Sequence, residues 1–242
     1  MQLFPSNQGK DILLLLGSLD MNYEFELIEE IRKAHSNDDF VREFKGNLSP
    51  KVCKKLIDLF EKETYLVAPG RTGGGLDTSI KDSLDLGIGH AINESKKAKR
   101  REKWKKLDGI LCDALGKGVK EYYKEFDDFD EKYPHDWRAF YRPKLTDTGY
   151  QIQKTTPESG GYIPHHDSRS EYMDNLPQTR ILTFIWYLNT TDGGPTGMIT
   201  GRDIQPEEGK LVLFPATWTM VHWGVPPRTG SKYIVTGWLY GY

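Results

Sequence analysis

The chain has 242 residues, 37% hydrophobic and 28% charged, with a formal net charge of −2, which suits a soluble globular protein built as one β barrel or sandwich with helical additions. It has no overall basic field to draw it to nucleic acid, and its two cysteines cannot build a disulfide framework. The longest early apolar run, Ile12 to Leu16, is too short for a membrane span or a signal h-region, so a cytoplasmic protein with no membrane or nucleic-acid partner is expected.

Residues 22–35 carry Phe25, Leu27, Ile28 and Ile31 at helical spacing. Ser49-Pro50 predicts a second helix start, because serine caps well and proline suits the first helical position. Val52, Leu56, Leu59 and Phe60 would form its buried stripe. Residues 68–90 hold Gly70, Gly73, Gly74 and Gly75 and read as a loop without a stable element, placed to act as a lid. A third helical region is expected over about 92–126, with Trp104, Leu107, Leu111, Leu115, Val119 and Tyr122 facing a core. Its basic start, KKAKRREKWKK, reads as a solvated face balanced by the acidic run Glu125 to Glu131. Cys53 and Cys112 fall among apolar neighbours on these helices and read as reduced core thiols, while His35, His90 and His135 read as surface, loop or turn residues.

From Tyr150 the pattern turns to short β runs: 150–155, 161–167, 180–189, 196–200, 210–215, 219–223 and 232–240, separated by turn clusters. The expected fold is therefore mainly β with helical support (α+β). One domain is expected over 1–242, with a helical support and lid region over 1–149 and a β core over 150–242.

In YIPHHD, His165 and Asp167 stand two apart, so on a strand they share a face and His166 points elsewhere. A metal held there needs a third donor from far along the chain, and His222, in a late strand after LVLFP, is the best candidate. Two histidines and a carboxylate on one face of an ion match non-haem iron(II) oxygenases, although zinc hydrolases also use this set. Lys232 follows His222 by ten positions with Pro226, Pro227 and Gly230 between, so the chain must reverse and return level with the histidine, as a hairpin or across two sheets. A lysine delivered that deep requires an anion, and a dicarboxylate co-substrate supplies one.

These segments resemble the prolyl 4-hydroxylase-like branch of the iron(II)/2-oxoglutarate-dependent oxygenases. YIPHHD is similar to that family's Y-x-P-H-x-D strand, and RILTFIWYLN with GGPT to its R-x-x-T-x-x-x-Y-L-N…G-G-x-T section. HWGVPPRTGSKYIVTGWLY carries the H-x-G-x-P spacing, the lysine ten positions on, and Trp238. The resemblance implies a double-stranded β-helix (jelly roll) and a hydroxylase of unactivated C–H bonds that converts 2-oxoglutarate to succinate. Its cofactors would be Fe(II), 2-oxoglutarate and O2, with ascorbate as a reductant. It implies His165, Asp167 and His222 as iron ligands and Lys232 as the partner of the distal carboxylate. Thr196 would line the co-substrate pocket, and Tyr150, Tyr162 and Trp238 are further contacts, Trp238 reading equally well as core. Arg180 reads as an ion-pair partner or a site residue, and Trp218 and Trp223 as core or rim. The first substrate class implied is a peptidyl proline. A free amino acid or other small metabolite, or a non-catalytic binding module, is the alternative.

Overall fold

In the computed structural model, residues 39–124, 144–173 and 176–241 are described, and all but Asp39 fall in one compact unit, Phe40–Tyr242. The helix expected over 22–35, the acidic run Glu125 to Glu131, His35 and His135 lie outside the described residues.

Nearly all of the run RILTFIWYL lies in the long strand β9 (Leu176–Tyr187), whose residues 182–187 are buried on both faces. Side chains alternate along a strand. Leu182, Phe184, Trp186 and Leu188 therefore enter one core, whereas Ile185 and Tyr187 enter another. Strand β12 (Leu211–Pro215) repeats the pattern, with Leu211 and Leu213 on the first side and Val212 and Phe214 on the second. The first core lies beneath three helices, α1 (Pro50–Phe60), α2 (Ile88–Glu94) and α3 (Ala98–Lys124). The second lies between two sheets. Each large side chain buried there contributes about 1.5–3 kcal/mol.

The larger sheet has the order β1-β12-β9-β14-β6-β4-β2, where β1 is Arg42–Phe44, β14 Lys232–Gly241, β6 Gln151–Thr155, β4 Leu84–Gly87 and β2 Ala68–Pro69. Strand β5 (Leu145–Asp147) also pairs with β14, and β8 (Ser170–Met173) with β9. The smaller sheet has the order β11-β10-β13-β7-β3, where β11 is Asp203–Ile204, β10 Thr196–Met198, β13 His222–Gly224, β7 Gly161–His165 and β3 Lys81–Asp82. Every pairing is antiparallel. Two facing antiparallel sheets make the double-stranded β-helix.

All seven expected strands form, and α1 begins at Pro50 with Ser49 preceding it, although the serine side chain makes no capping hydrogen bond. The third helical region divides at Ser95. There the buried Ser95 hydroxyl donates to the buried Glu63 carboxylate at 2.8 Å, and Arg100 meets the same carboxylate at 3.2 Å. A serine bonded outward in this way ends α2 before α3 starts. The apolar stripe of α3 is buried as expected, and Lys96, Lys97, Lys99, Lys103, Lys105 and Lys106 are exposed. Cys53 is buried, its thiol pushed up to about 12 by burial, but Cys112 is exposed and is not a core thiol.

The segment 68–90 differs from expectation. It is not a structureless loop: β2, β3 and β4 all lie in it, and β1 and β5 also precede Tyr150. The polar residues that made it read as a loop satisfy one another. Lys81 and Asp85 form a buried ion pair at 2.6 Å, and the Ser83 hydroxyl donates to Asp85 at 2.8 Å. Only Leu86 and Ile88 carry the segment's apolar signal into the core, too few to show a period.

Candidate metal centre and co-substrate cleft

His165 ends β7 and His222 opens β13, and the two are direct partners across the smaller sheet. Antiparallel pairing puts opposed side chains on one face, and the two imidazole centroids lie 4.3 Å apart. That pairing depends on Gly161, which has φ +77° and leaves no room for a Cβ against the Gly224 carbonyl. Asp167 lies just past the end of β7. Its carboxylate oxygens are 3.9 Å from His165 Nε2 and 3.4 Å from His222 Nε2. One donor atom from each residue lies within 4.8 Å of the others, a group able to hold a metal ion. His166 is exposed and is not one of the three grouped donors, as the strand period predicts, although it too borders the cleft.

Each imidazole is aimed by its other nitrogen. His165 Nδ1 bonds the Ile163 carbonyl at 2.8 Å, and His222 Nδ1 bonds the Met220 carbonyl at 3.1 Å. With Nδ1–H donating, Nε2 presents its lone pair to the shared space. Burial, reinforced by His222, pushes His165 down to about 4, so the ring is neutral at pH 7, as a ligand must be. The Thr183 hydroxyl, from β9 in the opposite sheet, donates to Asp167 Oδ2 at 2.8 Å. The donor set and its outer hydrogen bonds fit a divalent iron ion.

Lys232 resolves the choice between hairpin and cross-sheet return. It opens β14 in the larger sheet, opposite Thr155, so the chain crosses from one sheet to the other after His222. Alternation along β14 sends Lys232, Ile234, Thr236 and Trp238 into the cleft and Tyr233, Val235 and Leu239 under the helices. Lys232 is 4% exposed. Its ammonium donates to the carbonyls of Gly194, at 2.8 Å, and Val225. No carboxylate among the described residues pairs with it, and burial alone brings it down to about 8. A buried ammonium without an anion fits the distal carboxylate of 2-oxoglutarate.

The cleft has a volume of about 710 Å³, and all the predicted site residues line it. Thr196 is buried in its wall, its hydroxyl hydrogen-bonded to that of Tyr187 at 2.6 Å. Tyr162 stacks on His165, centroids 3.6 Å apart. Tyr150 serves the core as well, packing on Phe184 while its hydroxyl donates to Asp147 at 3.1 Å. Trp238 lies under the Arg180 guanidinium at 3.5 Å. Arg180 also donates to the Tyr240 hydroxyl at 2.8 Å and to the Asp167 carbonyl at 3.4 Å. Of the two flanking tryptophans, Trp223 lines the cleft, and Trp218 is 71% exposed. His90 is exposed on α2 and reaches the cleft edge, as do Arg71, Thr72 and Gly73. Thr183, Tyr187 and Lys81 escaped the sequence analysis. Thr183 had a legible signal, since it is the polar residue in an apolar run that faces away from Leu182 and Phe184. Lys81 had none.

Residues 150–240 match the family model described as the 2OG-Fe(II) oxygenase superfamily, and this match, with the triad inside the matched region, supports a dioxygenase that uses Fe(II), 2-oxoglutarate and O2. Among solved structures of similar fold is a prolyl hydroxylase from Trichoplax adhaerens in complex with a hypoxia inducible factor oxygen degradation domain peptide fragment. It has TM-score 0.60 and 14% identity, covering 93% of this chain and 94% of that one. A viral collagen prolyl hydroxylase from Paramecium Bursaria Chlorella virus-1, in its 2OG complex, gives 0.55 and 18%, covering 85% and 98%. A Pseudomonas putida prolyl-4-hydroxylase gives 0.53 and 15%, covering 85% and 95%. No curated protein matches in sequence. At these identities the likeness establishes the fold, a double-stranded β-helix core. No helix among the described residues is long and apolar enough to cross a membrane.

Proposed function

We propose that the protein hydroxylates a peptidyl proline in the manner of a prolyl 4-hydroxylase, with His165, Asp167 and His222 holding Fe(II) and Lys232 holding the distal carboxylate of 2-oxoglutarate. The observation that carries the co-substrate assignment is the buried Lys232 ammonium, paired with no carboxylate among the described residues, in the same cleft as the triad. The bound iron and 2-oxoglutarate supply the chemistry: an oxygen atom from O2 enters the C–H bond while 2-oxoglutarate becomes succinate and CO2. The chain's own residues position and shield. The Nδ1 bonds and Thr183 orient the donors, Tyr162 covers one face of His165, and Thr196 and Trp238 shape the wall.

The peptidyl reading is supported by the prolyl hydroxylases of similar fold, one of them holding a peptide, and by a cleft roomy enough to admit a chain beside the co-substrate. The described unit then acts as one oxygenase domain with the turn at 71–75 bordering its mouth, in a cytoplasmic setting. The test supplies the protein with Fe(II), 2-oxoglutarate, ascorbate and proline-containing peptides, and follows succinate together with the peptide mass. Gain of one oxygen on proline, matched to succinate, is expected. Hydroxylation of free amino acids or other small metabolites with every prolyl peptide untouched would overturn the substrate assignment and leave the reaction class standing.

A further inference from the structure

The cleft carries a surplus of positive charge that the cofactors do not consume. Five cations line it: Arg71, Lys81, Arg169, Arg180 and Lys232. The one lining carboxylate among the described residues is Asp167. Two more carboxylates pair with these cations from behind: Asp85 holds Lys81 at 2.6 Å, and Glu171 holds Arg169 at 2.5 Å, with Arg180 at 3.9 Å. Among the described residues, five cations against three carboxylates leaves two positive charges. Iron(II) and the 2-oxoglutarate dianion cancel each other, so the loaded cleft keeps that surplus.

The surplus concentrates at the mouth. Lys232 is committed to the co-substrate, and the Arg180 guanidinium is held against Trp238 and Tyr240. Arg71 is exposed and has no ion-pair partner among the described residues. The Arg169 guanidinium lies beside Gly73, where an added Cβ would come within 3.3 Å of Nη1, so the turn at 72–75 and residues 168–169 form one rim. The Arg169–Glu171 pair sits at that rim with side chains 52% and 35% exposed. Exposed pairs of this kind contribute little, so Arg169 can exchange Glu171 for an incoming carboxylate. A guanidinium fork suits that partner, and low-dielectric cleft walls extend its reach.

The geometry points to a substrate that presents a carboxylate to the Arg71–Arg169 rim: a peptide with an acidic residue flanking its target proline. This rests on the peptidyl-prolyl reading for the word proline, and on the charge of the rim for the word acidic. A free amino acid would offer the same carboxylate chemistry from its α-carboxyl group, and the experiment separates the two sources.

Three otherwise identical prolyl peptides, with Glu, Gln or Lys flanking the proline, are offered to the full chain loaded with Fe(II) and 2-oxoglutarate. Affinity is read anaerobically by fluorescence anisotropy and turnover by the peptide mass. The Glu peptide should bind about tenfold tighter than the Gln peptide at low salt, about 1.4 kcal/mol, and the margin should shrink as salt rises. The double variant Arg71→Glu, Arg169→Glu should reverse the ranking of the Glu and Lys peptides. The series on the unaltered protein needs no variant to fold, and the single variants Arg71→Gln and Arg169→Gln should each narrow the Glu/Gln ratio. Equal binding of all three peptides, with proline hydroxylated in each, overturns acidic recognition while the prolyl reading stands. Turnover of free amino acids alone, lost on blocking the α-carboxylate or reversing the rim charge, keeps carboxylate recognition and removes the peptide. Preference for the Lys peptide overturns the inference outright.

Discussion

His165 and His222 sit on strands of five and three residues in the smaller sheet, whereas Lys232 opens a ten-residue strand at the centre of the larger one. The metal-donor side is held by local bonds: two ring nitrogens to carbonyls two residues away, and one hydroxyl reaching across to Asp167. The cation side is part of the main core, its neighbours Tyr233 and Val235 packed beneath the helices. The two ends of the co-substrate would therefore meet supports of different kind. One is assembled from short strands and tuned by single hydrogen bonds, and the other is fixed by the global fold. Changes at the first should act on metal affinity through geometry, and changes at the second on co-substrate affinity through charge.

The largest effect is expected from His222→Ala. Loss of a donor should weaken iron by more than the roughly 10–100-fold typical of an outer hydrogen-bond partner. 2-Oxoglutarate binding should fall with it, because one end of the co-substrate would chelate the metal. Anaerobic iron titration checks both, and retained iron affinity would remove His222 from the centre.

Lys232→Ala comes next and should split the two ends cleanly. A buried carboxylate left unpaired costs about 3–5 kcal/mol, so 2-oxoglutarate should bind roughly two to three powers of ten more weakly while iron binding is unchanged. Lys232→Arg should also harm binding, since a planar guanidinium does not fit an ammonium's place. Unaltered co-substrate affinity in the alanine variant would mean that the buried ammonium serves something else.

Thr183→Val tests the hydrogen bond that crosses between the sheets. It keeps the volume and deletes the donor to Asp167, and a loss of about 10–100-fold in metal affinity or activity is expected. At saturating iron the affinity for 2-oxoglutarate should change far less. A comparable loss at the lysine end would show that the two supports are not separate.

The smallest effect is a pH dependence in which affinity and stability move oppositely. Burial brings Lys232 from 10.5 to about 8. Between these values the unfolded chain binds more protons there than the folded one, so the lysine's contribution to apo-protein stability rises with pH. Over the same window 2-oxoglutarate affinity should fall, by at most about tenfold per pH unit, as the ammonium is lost. Affinity flat from pH 7 to 10 would contradict the pairing.

Much of this was legible in the chain itself. Seven of the nine strands from Tyr150 onward announced themselves, all but the short β8 and β11, because a sheet buried on both faces leaves long apolar runs, such as RILTFIWYL, ended by glycine and proline turns. His165 and Asp167 were legible from their spacing, and α3 from its stripe. The five strands before Tyr150 were not, since each has two to four residues and no period can be read over so few.

The sequence by itself determined the donor types, their order and the lysine that follows them, because strand alternation and turn chemistry are local and leave a periodic record. Only the tertiary structure decided that His222 faces His165 across one sheet while Lys232 arrives from the other. It alone decided that Thr183 holds Asp167, that Lys81 closes on Asp85, and that Arg71 and Arg169 share a rim. These are meetings of polar groups brought together by packing. A polar side chain looks the same in sequence whether water or a buried partner will satisfy it, and only the fold supplies the partner.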